Sequence, residues 1–152
     1  MTWVARILFI GMSIAALWLL FGCQSMLYPH QTTVLTARGV EIPFHLAVAE
    51  TDEQKEKGLS FRTYVPKDSG MIFTSERPKI WHMWMKDTQV SLDMLFFDEN
   101  GKIVKVAERA APFSLKVISS DVPVKGVLEI NGGLSSYLGI KPGDKITVTD
   151  FE

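Results

Sequence analysis

Two acids stand where acids are costly. Asp93 interrupts the apolar run Leu92-Asp93-Met94-Leu95-Phe96-Phe97, and Glu129 interrupts Val127-Leu128-Glu129-Ile130. A carboxylate taken into an apolar interior must be paired or hydrogen-bonded, because a bare one is strongly disfavoured there. Arg62 and Lys86 are the expected partners, and Asp93 in particular needs one. With Trp84, the set Arg62, Trp84, Lys86, Asp93 and Glu129 reads as a ligand-binding pocket for an anionic or hydroxylated small molecule. The carboxylates would orient the two cations, and Trp81 and Trp84 would offer an aromatic platform of the kind that suits sugars. The same residues also fit an internal ion-pair network that fixes strand register and helix docking without any ligand. A catalytic alternative makes Asp93 and Glu129 the acid/base pair of an enzyme acting on envelope glycans. The separation of two carboxylates cannot be read from sequence, so the reading leans to binding without catalysis.

A second constellation is Trp81-His82-Met83-Trp84-Met85. Thioether and imidazole ligands suit Cu(I), so His82, Met83 and Met85 beside Trp84 form a metal-binding alternative. Strand alternation works against it. His82 and Trp84 should face one way, and Trp81, Met83 and Met85 the other. Stripes of Met and Trp also commonly build core. Cofactors are expected to be absent. There is no phosphate-cradling glycine loop or dinucleotide fingerprint, and no serine lies in a Gly-x-Ser-x-Gly elbow.

The elements that must carry these residues are short strands. Residues 79–85 and 91–98 read as two strands joined by a polar turn at residues 86–89. Residues 32–36 and 40–49 read as earlier strands, with Pro43 arguing for an edge or a bulge. Thr51 with Gln54 three positions on predicts a capping box opening a short helix to Lys57, which Gly58 ends. Residues 71–73 form a brief apolar strand before a break at 75–78. Asp98-Glu99-Asn100-Gly101 is a hairpin turn leading into a strand at 102–108. Strands follow near 115–118, at 126–130 and at 145–151, with a helical turn at 134–138. The sum is an α+β, mostly β domain: a small barrel-like or closed antiparallel or mixed sheet with one docked short helix.

The 152 residues suit one domain behind a leader. Arg6 precedes an apolar run at residues 7–21, shorter than the roughly 20 residues a spanning helix needs, so it reads as a secretory signal. The run ends in Leu20-Phe21-Gly22-Cys23, which resembles the lipobox of bacterial lipoproteins. That resemblance implies a signal peptide at residues 1–22, lipidation of Cys23, a tether through residue 31 and a single domain at 32–152. Membrane attachment through the lipid is expected, in the cell envelope. Gln24 favours the outer membrane, facing the periplasm. Cys23 is the single cysteine, so the mature domain has no disulfide and no thiol nucleophile. A net charge of −1 supplies no basic field for nucleic acid. The expected partners are a small polar ligand or an envelope protein.

Six ordered motifs carry a further resemblance. They are Gly58-Leu59-Ser60-Phe61-Arg62, Gly70-Met71-Ile72-Phe73, Trp84-Met85-Lys86-Asp87-Thr88, Leu92-Asp93, Leu128-Glu129 and Gly143-Asp144. Their order resembles the bacterial and archaeal family called domain of unknown function 192, over about residues 32–152. His82-Met83 departs from that pattern. The resemblance implies a compact, mostly β domain, often secreted or lipid-anchored, with no established activity.

Overall fold

The computed structural model describes residues 30–36 and 39–148. The signal peptide, Cys23 and most of the expected tether lie outside the described residues. The described chain forms β1 (His30–Leu35), β2 (Glu41–Ala49), α1 (Asp52–Lys57), β3 (Ser69–Lys79), β4 (His82–Met83), β5 (Leu92–Phe97) and β6 (Ile103–Ala110). It continues with β7 (Ile118–Ser119), β8 (Val124–Asn131), α2 (Leu134–Leu138) and β9 (Lys145–Val148). The expected mostly β architecture is present, with two short helices. Seven strands form one sheet in the order β6-β5-β8-β3-β2-β1-β9, and β4 pairs with β7 in a second, small sheet. Only β2 and β3 run parallel within the large sheet.

The large sheet curls into a half-barrel, and its two edges touch. The Ile103 N–H donates to the Asp144 carbonyl and the Gly143 N–H to the Ile103 carbonyl, both at 2.8 Å. Alternation along each strand feeds two apolar cores, one per face. Phe73, Met94, Phe96 and Val127 pack on one face with Trp81, Met83 and Met85. Phe44, Leu46, Ile72, Leu95, Leu128 and Ile130 pack on the other. Pro43 lies opposite Thr33 of β1, on the part of β2 that precedes its pairing with β3 at His45. A proline that cannot donate to a ladder is tolerated where one neighbour is missing.

The strand expected at residues 79–85 shrinks to His82–Met83, and its partner is β7 rather than β5. The expected break at 75–78 is instead a continuation of β3. The register with β8 slips between Thr74 and Lys79, and the Ser75 hydroxyl donates to the Lys125 carbonyl at 3.3 Å. Alternation nevertheless survives from Trp81 to Met85, the odd residues buried and the even ones exposed. Likewise, β1 begins two residues earlier than expected.

Helix α1 buries no residue, so its caps hold it. The Thr51 hydroxyl accepts from the Gln54 N–H at 3.2 Å, and the Gln54 side chain accepts from the N–H groups of Thr51 and Glu50 at 3.0 and 2.8 Å. This is the expected capping box. The result is a polar wall standing beside β4 and the turn that follows it.

Candidate functional site

Asp93 is fully buried on β5, and its partners are neither Arg62 nor Lys86. One carboxylate oxygen accepts from the N–H groups of Arg109 (2.7 Å) and Gly133 (2.8 Å). The other accepts from the N–H (2.9 Å) and hydroxyl (2.6 Å) of Ser135. A bulge opposite Asp93 makes the first bond. Leu92 pairs with Ala110 but Met94 with Ala107, so β6 carries one extra residue there, and Arg109 adopts φ 50°. The other three bonds secure α2. Its N-cap, Gly133, offers no side chain, and Asp93 from another strand satisfies N–H groups that the helix leaves open. A side chain at Gly133 would also meet the Arg109 guanidinium, 2.8 Å from an ideal Cβ. The sequence-based expectation of an Arg or Lys partner is corrected: four neutral donors stabilise this charge.

Glu129 is the opposite case. It is 4% exposed on β8, and among the described residues no donor or cation reaches its carboxyl. Burial alone pushes its carboxyl up to about 8. On its own face of the sheet its cross-strand neighbours are Met71 and Met94. Glu129 lines a small pocket of about 50 Å³, shared with Phe73, Thr88, His82, Met83 and Trp84 and bounded by the end of α1.

Trp84 is 47% exposed and divides this small pocket from a larger cleft of about 250 Å³. Glu56, Lys57 and Ser60 line both spaces. Glu53, Phe61, Lys86 and Asp87 complete the cleft. The Lys86 ammonium lies 5.8 Å from the Trp84 ring centroid, so the indole face already receives a cation. The Ser60 hydroxyl donates to the Lys86 carbonyl at 3.1 Å and ties the loop after α1 to the turn after β4.

The structure therefore brings together three of the five expected site residues: Trp84, Lys86 and Glu129. Arg62 is half-buried and forms no ion pair among the described residues. Asp93 lies on the other face of the sheet. His82 and Met83 reach the small pocket, but Met85 is sealed in the core, so the His82/Met83/Met85 set is not assembled there. A larger concavity, about 720 Å³, lies elsewhere and contains none of the expected site residues. Two of its charges are occupied locally: Asp98 caps the turn N–H groups of Asn100 and Lys102, and the Lys125 ammonium donates to the Glu76 carbonyl.

Sequence reasoning missed Phe61 on the cleft wall and Phe113, which is bonded to the pocket-lining Thr88. Phe61 (φ 64°) and Phe113 (φ 59°) hold left-handed backbones, as does Asp87 (φ 55°) between them. The Phe61 N–H donates to the Asp87 carbonyl at 2.8 Å, and the Phe113 N–H to the Thr88 carbonyl at 3.0 Å. Both rings stay outside the core, 67% and 61% exposed. A bulky residue in this region is an outlier that costs about 1–3 kcal/mol, and such strain concentrates at functional surfaces.

Across residues 33–148 the sequence matches the family described as domain of unknown function 192, an uncharacterised ACR. Among solved structures, a proposed transcription regulator from Sinorhizobium meliloti 1021 is similar at 36% identity and a TM-score of 0.77, over 78% of this chain and 92% of that one. A protein of unknown function from Novosphingobium aromaticivorans DSM 12444 is similar at 37% identity and a TM-score of 0.74, over 77% and 83%. No curated protein matches the sequence.

Proposed function

This chain belongs to the family called domain of unknown function 192, and from that premise we propose that it is a non-catalytic binding module of the cell envelope. Its ligand is a small polar molecule held in the cleft beside Trp84. The observation that carries this reading is Glu129, a buried carboxyl with no partner among the described residues, which opens into a pocket adjoining that cleft. Folded proteins satisfy most such groups, and a pocket opening onto one offers a place for a ligand to do so. The strained Phe61 on the cleft wall adds a second reason. The envelope address rests on the leader, with its apolar run and Cys23 at the lipobox-like site.

Catalysis by Asp93 and Glu129 finds no support, because the pair cannot flank one bond from opposite faces of a sheet. Nucleic acid is not part of the proposal either: 16 basic residues stand against 17 acidic ones.

The test is a nuclear magnetic resonance screen of the full chain against neutral sugars, carboxylates and amines. The expected result is one ligand class that shifts the Trp84 indole together with Ser60 and Lys86, with the response lost in Trp84→Ala. Shifts confined to the 720 Å³ concavity, or no response to any class, overturn the reading.

A further inference from the structure

We propose that the ligand of this cleft carries a primary ammonium group, which enters the small pocket and pairs with the Glu129 carboxylate. The inference rests on the binding reading of the cleft and names the chemistry of its occupant.

Three observations lead there. First, the chain supplies Glu129 with neither a donor nor a counter-charge among the described residues, so its ionised form depends on what enters the pocket. An ammonium brings three N–H donors and one positive charge. Second, size selects the group. About 50 Å³ has room for one or two water-sized groups, enough for the tip of an amine and too little for a sugar ring. Third, the walls suit a cation. Phe73 and Trp84 line the space, and Trp84 already accepts the Lys86 ammonium on its face. The body of the ligand then lies in the adjoining cleft, where Lys86, Asp87 and Glu53 meet polar groups.

The proton balance follows from the burial of Glu129. Without a ligand, near neutral pH the carboxyl is protonated. When an ammonium enters, the O–H bond of that acid breaks and its proton leaves to solvent. A carboxylate remains against the intact ammonium, so one cation is taken up for one proton released. Other charges border the pocket: Lys55, Glu56 and Lys57 from α1, and His82 from β4. The neighbouring strands β3 and β5 present Met71 and Met94.

Methylammonium is the probe, titrated into the full chain from pH 6 to 9 with methanol and acetate as neutral and anionic controls. Affinity for methylammonium should rise about tenfold from pH 6 to 7 and level off above about pH 8. Calorimetry at pH 7 in buffers of different ionisation enthalpy should report close to one proton released. Glu129→Gln should weaken binding at pH 8.5 at least tenfold and flatten the profile, whereas the rise should persist in His82→Gln. Glucosamine and Nα-acetyl-lysine amide then distinguish a sugar amine from a lysine side chain as the body attached to the ammonium. If acetate or methanol shifts Trp84 and methylammonium does not, the ammonium assignment is overturned and the cleft remains a binding site. If all three leave Trp84 and Glu129 unmoved, both readings fall.

Discussion

Asp93 and Glu129 sit on neighbouring antiparallel strands, one residue out of step, and therefore project from opposite faces of the same sheet. Asp93 lies opposite Ile130, and Met94 lies opposite Glu129. Their surroundings differ as much as their directions. Asp93 receives four hydrogen bonds and ties β5 to β6 and α2. Among the described residues Glu129 receives none, and it opens into a pocket. One acid is tied into the scaffold, and the other is the proposed ligand contact.

If Asp93 is scaffold, its replacement is a stability event. Asp93→Asn keeps one acceptor oxygen but turns an amide N–H₂ toward groups that are themselves donors. Breaking such a buried charged network costs about 3–5 kcal/mol. Urea denaturation should show that loss with an unchanged slope. A loss below about 1 kcal/mol contradicts the assignment.

Glu129 makes stability depend on pH in a stated direction. Its folded carboxyl titrates at about 8, against an ordinary value of 4.5. The unfolded chain therefore gives up this proton several pH units before the folded one does. The contribution favours folding fully below about pH 4.5 and declines as pH rises toward 8, by an amount on the order of 5 kcal/mol. Glu129→Gln removes the decline. The variant should match wild type near pH 4 and exceed it by a few kcal/mol at pH 8–9 in urea melts. Parallel pH profiles for the two proteins contradict it.

Phe61 should behave unlike a core aromatic. A buried Phe truncated to Ala costs about 3–5 kcal/mol, but Phe61 is exposed and its backbone is left-handed. Phe61→Gly relieves that strain, so stability should stay level or rise by up to about 1 kcal/mol. Ligand affinity in the Trp84 cleft should fall. A destabilisation of 3 kcal/mol shows instead that the ring is structural.

Helix α1 walls the site while burying nothing, so its capping box sets its persistence. Thr51→Ala should cost about 1 kcal/mol and speed amide exchange through Asp52–Lys57, with the sheet unaffected.

Much of this architecture is legible in the sequence because it is local. Alternation marks β2, apolar runs mark β5 and β8, Thr51 and Gln54 announce α1, and the turn at residues 98–101 announces the β5–β6 hairpin. Even the alternation at Trp81–Met85 reads correctly, although only two of those residues are strand. Pairing does not read, because β3 meets both β2 and β8 across long stretches of chain. The partners of Asp93 were hidden for a different reason. Three of its four donors are backbone N–H groups, two of them 16 and 40 residues away, and a backbone donor leaves no mark on residue type. Charge complementarity pointed to Arg62 and Lys86, whereas the fold uses a bulge and a helix start. Phe61 and Phe113 carried no signal either, since left-handed backbone is usually announced by Gly, Asn or Asp. Glu129 was legible as an anomaly, but its lack of a partner was visible only once β3, β5 and β4 were in place around it.

The most direct test of this account is the ionisation of Glu129 itself, followed by the carbon resonance of its carboxyl from pH 4 to 10 in the ligand-free chain. An unpartnered acid at the floor of a pocket should titrate near 8, and saturating methylammonium should draw that midpoint down. A midpoint near 4.5 in the free protein would mean that the carboxylate is already satisfied, and the binding site proposed around it would be contradicted.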